Sequence, residues 1–355
     1  YFTAALNKLP HMKPDSAFPW DAKYDGSSKN PGQLAKQLAE AIQSAKDSGK
    51  PFFINCNIGD PHRPFYGAGP KNPQKAARAK NEGEGIVAKP FTAEDVKAPR
   101  FLENLPDIRE EYAQYSNSVQ RLDISFGNVI DELRKSGLAD KTIVVFLSDH
   151  GISMPFSKAT VYFNGTWSPV LIKVPGKDGA EHPELVSSTD ILPTLLELSG
   201  NPVPEGIDGR SWIPLLNGEK QSGRDRVFTH VNGVSSGKQF PQRAVNTLTR
   251  SLIFLPWAGK GQDFRVEAMQ GLAYAALAEA AAADPAVKPR VEQFLHGVPL
   301  ALYDLEKDPD QRTNVIDDPA YASDRRELEQ SLLSHMEKTG DPQLAAFRDL
   351  LSTKP

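Results

Sequence analysis

Three apolar runs in this chain end in residues that can carry charge. FTAAL (2–6) is followed by Lys8 and His11, FFINCNI (52–58) by Asp60 and His62, and IVVFLS (143–148) by Asp149 and His150. His11, His62 and His150 are three of only seven histidines. In open α/β sheets functional groups gather beyond the carboxyl ends of strands, so the recurrence points to chemistry there. Asp149 and His150 are adjacent, and a carboxylate beside an imidazole can reach one cation. The oxygens favour Ca²⁺ or Mg²⁺, while the imidazole leans toward transition metals. Gly151 is expected to turn the backbone sharply enough for both side chains to converge. His62 sits in D-P-H-R-P, where two prolines stiffen the loop around a donor. Lys8 and Lys158 are cations suited to holding an anion. Each residue also has a plainer reading: Asp149 as a turn cap, His62 as a solvated loop residue, the lysines as surface side chains. Taken together, the set suits an anionic substrate, sulfate or phosphate, whose leaving oxygen needs charge neutralisation. Composition does not choose between those anions.

The elements that must position these groups follow from periodicity. Residues 32–48 place Leu34, Leu38, Ile42 and Ala45 on one helical face, and Gly49 ends the pattern. From 107 to 136, Tyr112, Tyr115, Val119, Leu122, Phe126, Val129 and Leu133 recur every three or four residues. TIVVFLS and SPVLIKVPG read as buried strands, the first buried on both faces. STDILPTLLELSG reads as a helix capped by Ser188 or Thr189. Residues 66–106, rich in Pro, Gly and Lys, read as a long surface excursion. This alternation predicts an α/β fold, a mostly parallel sheet sandwiched by helices. Beyond about residue 220 the strands become shorter and more polar, as in VFTHV, RAVNTLT and SLIFLPW. They predict a smaller C-terminal α+β domain containing an antiparallel sheet, with boundaries 1–219 and 220–355.

Bulk properties narrow the function. The chain has 355 residues, 41 Lys plus Arg against 45 Asp plus Glu, and a net charge of −4. It has no basic run, so nucleic acid is not an expected partner. No apolar stretch approaches the ~20 residues of a membrane span, and AYAALAEAAAA reads as a helix. Cys56 is the sole cysteine, which excludes an internal disulfide and argues against a cysteine zinc site. No signal peptide is visible, and YFTAAL reads as the inside of a strand, so the chain is expected to begin in mid-fold. Asn164-Gly165-Thr166 matches a glycosylation acceptor triplet.

Several segments, in order and along almost the whole chain, resemble the sulfatase family of the alkaline-phosphatase-like superfamily. They are YFTAALNKLPH, PFFINCNIGDPHRPF, the helix–strand block ending in SDHG, STDILPTLLELSG, GRSWIPLLNG and LYDLEKDPDQRTNVIDDP. DPHR, and a lysine after SDHG, look most like the heparan N-sulfatase and iduronate-sulfatase branch. The resemblance implies hydrolysis of sulfate esters or sulfamates on a sulfated glycan or another small sulfated substrate. It implies Asp149 and His150 as metal ligands, with Ca²⁺ expected and Mg²⁺ the alternative. Lys8 and Lys158 would hold the sulfate group, His11 would assist the nucleophile, and His62 would contact sulfate and protonate the leaving group. His230, Lys238, Gln242 and Arg243 lie near a strand start that in such proteins often reaches toward the active site, so His230 and Arg243 are expected among the sugar contacts, with a solvated loop as the plainer reading. Two departures stand out: Asn7 replaces the usual Gly before the lysine, and two residues rather than one separate Lys8 from His11. The family nucleophile, a formylglycine made from Cys or Ser in C/S-x-P-x-R, has no counterpart here, nor has the adjacent acidic pair that completes the metal site. Both are expected in a segment upstream of Tyr1. By analogy the protein is expected in the periplasm, outside the cell or, in a eukaryote, in the lysosome. A homo-oligomer stays open. The rival readings are a phosphodiesterase or phosphonate monoester hydrolase of the same superfamily, and a non-catalytic glycan-binding relative.

Overall fold

Helix α1 (Pro31–Ser48) begins where the Asn30 side chain accepts the Gln33 N–H (3.0 Å) and ends at Gly49, whose φ of 66° suits glycine. Its buried residues include Leu34, Leu38, Ile42 and Ala45, the face read from the sequence. The computed structural model describes residues 1–26, 28–68, 86–235 and 237–353. The chain forms two compact units. The first holds Tyr1–Leu147, Pro169–Lys177 and Gly271–Leu277; the second holds Ser148–Ser168, Asp178–Gln270 and Ala278–Pro355.

In the first unit, β1 (Phe2–Leu6) lies between β2 (Ala22–Tyr24) and β3 (Phe52–Cys56), parallel to both. Ala4 and Leu6 of β1 share a core with Leu34, Leu38, Ala41 and Ile42 of α1 and with Leu133 of α2 (Pro106–Lys135). Strand β4 (Val144–Leu147) pairs with β5 (Val170–Lys173) antiparallel. The residues between them contain a single helical turn, Phe163–Thr166, rather than the long crossover helix that a parallel return needs. The expected burial of TIVVFLS on both faces is not met: Leu147 is 41% exposed and Leu171 of the partner strand 64%. Antiparallel pairs can leave one face toward water. Phe53 of β3 is likewise 46% exposed and stacks on Trp20.

Helix α2 also departs from expectation. Its most deeply buried side chains include Glu111, Asn117, Ser118, Arg121 and Ser125, whereas Val119 is exposed. The apolar stripe is only partly buried, and a polar stripe beside it does the anchoring described below. The expected surface excursion at 66–106 lies partly outside the described residues. Its described part buries Val87, Phe101 and Leu102, and Asn117 clasps Phe91, accepting its N–H (2.7 Å) and donating to its carbonyl (3.0 Å).

The second unit is built on an antiparallel sheet of order β6 (Arg226–Gly233), β7 (Gln239–Thr247), β8 (Arg250–Phe254) and β9 (Leu300–Asp304). One core joins Val245, Leu252, Phe254 and Leu302 to Leu328, Leu332 and Met336 of the helix Ala322–Thr339 and Phe347 of the helix Leu344–Ser352. The helix Ile191–Leu198 is preceded by a tight turn capped one residue earlier than expected, by Ser187, whose Oγ accepts the Thr189 N–H. Asp190 returns the favour by accepting the Ser187 N–H (3.0 Å). It also accepts the Arg210 N–H (2.8 Å) and the Trp212 indole N–H (3.2 Å), and pairs with Arg224. Burial would raise its pKa; the hydrogen bonds from Ser187 and Arg210 and the Arg224 guanidinium outweigh that and hold the carboxyl below the ordinary range.

Candidate functional site

The chain leaves β1 through two left-handed residues, Asn7 (φ 60°) and Lys8 (φ 49°). Asparagine tolerates that region better than most residues, which explains how Asn7 stands where the family segment has glycine. Buried Asn7 donates to the Asn57 carbonyl (3.2 Å), and Asn57 donates from its amide to the carbonyls of Leu6 (3.1 Å) and Asn7 (3.3 Å). The loops after β1 and β3 are thereby tied side by side. Lys8 opens a single turn, Leu9–His11, in which the His11 N–H returns to the Lys8 carbonyl (2.9 Å); His11 is exposed at its end.

The loop bearing His62 is fixed from beneath by buried charge. Asp60 receives two hydrogen bonds from Arg121 of α2, Nε to Oδ2 at 2.6 Å and Nη2 to Oδ1 at 2.9 Å, and both side chains are buried. Lys29 stands 3.9 Å from Asp60 and donates to the carbonyls of His62 (2.6 Å) and Pro64 (2.8 Å). Arg63 pairs with buried Glu111, lies over the Phe65 ring, and Ser118 of α2 accepts the Tyr66 N–H (2.8 Å). His62 itself is exposed. Its Nδ1 lies 2.7 Å from the Arg63 carbonyl oxygen, which only accepts, so Nδ1 carries the proton in the neutral ring. Nε2 is then the ring nitrogen that can accept a proton or, once protonated, donate one.

In the second unit the loop after Leu147 carries Asp149, His150 and Lys158. His150 Nδ1 is 2.8 Å from the Gly151 carbonyl and must be its donor, which leaves the Nε2 lone pair for a ligand. That Nε2 is 3.7 Å from Asp149 Oδ1, close enough for one divalent cation to touch both at ordinary bond lengths. The residue types fit a hard cation with one imidazole ligand. Among the described residues no group of three or more His, Cys, Asp or Glu side chains is arranged to hold a metal.

Gly151 is required for a reason other than the expected one. It is absent from the positive-φ residues of the chain. Instead a Cβ there would overlap the Asn164 carbonyl and come 2.5 Å from Ser157 Oγ. Gly151→Ala should therefore lower stability by about 1–3 kcal/mol through overpacking, read as a fall in the thermal midpoint; an unchanged midpoint would show that the two segments separate at no cost.

The stretch from 156 to 163 is strained and firmly held. Phe156 (φ 62°) and Ala159 (φ 64°) are left-handed without being glycine, which persists only where surroundings enforce it. Gln242 of β7, itself buried, accepts the Val161 N–H (3.2 Å) and donates to the Ala159 carbonyl (2.9 Å). Gln311 accepts the Phe163 N–H (2.5 Å), and the Arg290 guanidinium lies 3.5 Å above the Phe156 ring. Lys158 Nζ is thus delivered by a rigid loop, and it rests 2.9 Å from Glu267 Oε2.

His230 and Arg243 are placed differently from that loop. Neighbouring residues on a strand face opposite sides, so Arg243 points away from the side on which Gln242 holds the Lys158 loop. Arg243 is buried and bidentate to Asp341 (2.5 and 3.0 Å), with further donations to the carbonyls of Val231 and Gln242. That commits its donors to the protein. His230 is its cross-strand partner and shares that face. Burial pushes the Cys56 thiol up to about 12, which disfavours the thiolate that a nucleophile needs. The Asn164 amide nitrogen, which glycosylation would need, is buried. The residues that sequence reading missed are the anchors: Lys29, Glu111 and Arg121 around His62, and Gln311 and Glu267 around Lys158, while Gln242, read as a candidate sugar contact, holds the Lys158 loop instead. Their one sequence signal was polar residues at inward positions of apolar elements.

Among known proteins, the family profile described as Sulfatase matches residues 6–201. N-sulphoglucosamine sulphohydrolase of Homo sapiens is 27% identical over 97% of this chain and 73% of its own length. An ulvan-active sulfatase of Formosa agariphila is 25% identical over 96% of this chain, which spans 63% of that relative. In fold, the chain is similar over its whole length to a solved 2-O GAG sulfatase, with a TM-score of 0.68 at 18% identity and 74% of that chain covered.

Proposed function

The chain belongs to the sulfatase family, and from that premise we propose that the full-length protein hydrolyses sulfate esters or sulfamates on a sulfated saccharide. The observation that carries the reading is the 148–158 loop. It sets an imidazole lone pair 3.7 Å from a carboxylate and presents an ammonium eight residues later on a rigid backbone. The relatives' activities on N-sulphoglucosamine and ulvan support a glycan substrate.

In this reading Asp149 and His150 are two of the ligands of a divalent cation, Ca²⁺ by the preference of carboxylate oxygens. When bound, such an ion neutralises sulfate oxygens and polarises sulfur toward attack. The nucleophile is the family's formylglycine, for which residues 1–355 contain no C/S-x-P-x-R precursor. Lys158 holds a sulfate oxygen, and its Glu267 partner keeps the ammonium placed until the anion arrives. Lys8 has the same role in the first unit's loop. His62, with Nδ1 fixed on a carbonyl, offers Nε2 to the leaving oxygen or nitrogen and transfers a proton to it. His11 is the proposed assistant to the nucleophile.

The test is turnover of an aryl sulfate, glucosamine 2-N-sulfate and an aryl phosphodiester, side by side, by the full-length protein. Sulfate release should dominate. Faster phosphodiester cleavage would assign the chain to the phosphoryl-transferring relatives, and no turnover of any probe would make it a binding protein.

A further inference from the structure

Lys158 does not stand as a lone cation. Its Nζ rests 2.9 Å from Glu267 Oε2, and the two side chains are 16% and 22% exposed. Both ends of this contact are anchored. The Lys158 N–H donates to the Ile152 carbonyl (3.0 Å), two residues beyond His150, which ties the lysine to the loop carrying Asp149 and His150. Glu267 opens the single turn Glu267–Gln270 and is flanked by buried Val266 and Ala268. Just before it, the Phe264 N–H donates to the Leu295 carbonyl (2.7 Å). The buried Phe264 ring packs against those of Phe240, Trp257 and Phe294, with centroids 5.1–5.5 Å apart. Backbone and core thus hold a carboxylate beside the ammonium.

A lysine whose sole task is to attract an anion gains nothing from a fixed carboxylate at its head. Together the two groups offer ammonium N–H donors without a surplus of charge. The carboxylate also repels any anion that approaches Lys158, and the repulsion grows in proportion to the charge on the ligand. Sulfate esters and sulfamates carry one negative charge. A phosphate monoester above its second pKa of about 6 carries nearly two. We infer that Glu267 is a specificity-determining residue. It biases the Lys158 position toward singly charged sulfate and sulfamate groups and against doubly charged phosphate monoesters. Selectivity then comes from a repulsive element set beside the attractive one. The inference rests on the sulfatase reading, in which Lys158 holds a substrate oxygen, and sharpens it by naming what rejects the phosphate of similar shape.

The test compares Glu267→Gln and Glu267→Asp with wild type in the full-length protein. Glutamine matches glutamate in shape, so equal thermal midpoints should confirm intact folding. Two competitive inhibitors of aryl-sulfate turnover are titrated at about pH 8, above the second phosphate pKa. Phenyl phosphate is then a dianion and methyl phenyl phosphate a monoanion. Removing the carboxylate should lower the inhibition constant of the diester about threefold and that of the monoester about tenfold. Their ratio then shifts about threefold, the size of a charge interaction at a partly exposed site. Glu267→Asp keeps the charge and should keep the wild-type ratio. A bound cation contributes equally in every variant and cancels from the comparison. A side chain that merely props the ammonium would change both constants by one factor, so an unmoved ratio in Glu267→Gln overturns the inference. So does a shift in Glu267→Asp as large as in Glu267→Gln, which would make side-chain length the selector. If the wild type releases no sulfate, the sulfatase reading fails separately, and calorimetric titration of the same two phosphates decides the role of Glu267 by the same ratio.

Discussion

Asp149→Ala, made in the full-length protein, is expected to abolish divalent-cation binding and to cut sulfate hydrolysis by about three orders of magnitude or more. A bound cation contributes several kcal/mol of transition-state charge stabilisation, and Asp149 places a carboxylate beside the outward lone pair of His150. The side chain is 62% exposed, so its truncation removes no core packing and should move stability by no more than about 0.5 kcal/mol. Loss of activity with an unchanged thermal midpoint would then be loss of chemistry and not of fold. Calorimetric titration with Ca²⁺ and with Mg²⁺ reads the metal directly. Asp149→Asn sharpens the comparison, because it keeps one oxygen ligand and removes the charge. Its affinity should fall between wild type and alanine. Full cation affinity in the alanine variant would remove Asp149 from the ligand set, whatever happened to turnover.

Part of this arrangement was open to reading from residue types. Helix α1 shows its apolar face and its terminating glycine in the sequence, and the structure adds the capping Asn30. The parallel strands β1 and β3 and the later antiparallel strands were legible because propensity, pattern and context agree there. Family membership was legible because the motifs recur in order. What stayed hidden is what depends on partners distant in sequence. Helix α2 announces an apolar stripe, but Asp60 needs Arg121, and no periodicity reveals a buried guanidinium. Gly151 looks like a turn residue, yet it is needed because Asn164, thirteen residues on, passes against it. Arg243 and Gln242 look alike as polar residues at a strand start. Only the alternation of faces shows that one grips the Lys158 loop and the other grips Asp341. The packing of 148–168 with a sheet that begins near residue 226 is likewise a tertiary fact, invisible to a change in local texture.

The second large effect is expected at that hidden pair. Arg121→Ala leaves the Asp60 carboxylate buried without its bidentate partner, and breaking such a pair costs about 3–5 kcal/mol. Lys29, 3.9 Å away, compensates in part, so the lower end of that range is expected from chemical denaturation. A shift below 1 kcal/mol would show that the pair does not anchor the loop. Stability alone does not separate an anchor from a device that positions His62, so a second variant is needed. Replacing both partners with uncharged residues of similar volume, Asp60→Asn with Arg121→Met, removes the stranded charge, and such replacements are often near neutral in stability. If the pair only stabilises the fold, this variant regains both stability and activity. If it positions His62, stability returns while kcat stays depressed, with KM for small sulfates little changed. The loop would then have lost the fixed backbone that aims Nε2, and a misplacement of about 1 Å in a proton donor can cost on the order of 10²-fold in rate. Arg121→Lys adds the geometric control: it keeps the charge but cannot reproduce two parallel hydrogen bonds to one carboxylate, so it should fall between the alanine variant and wild type. Recovery of kcat in the uncharged pair would assign His62 placement to the prolines and Lys29, and leave Asp60 and Arg121 as ballast in the core.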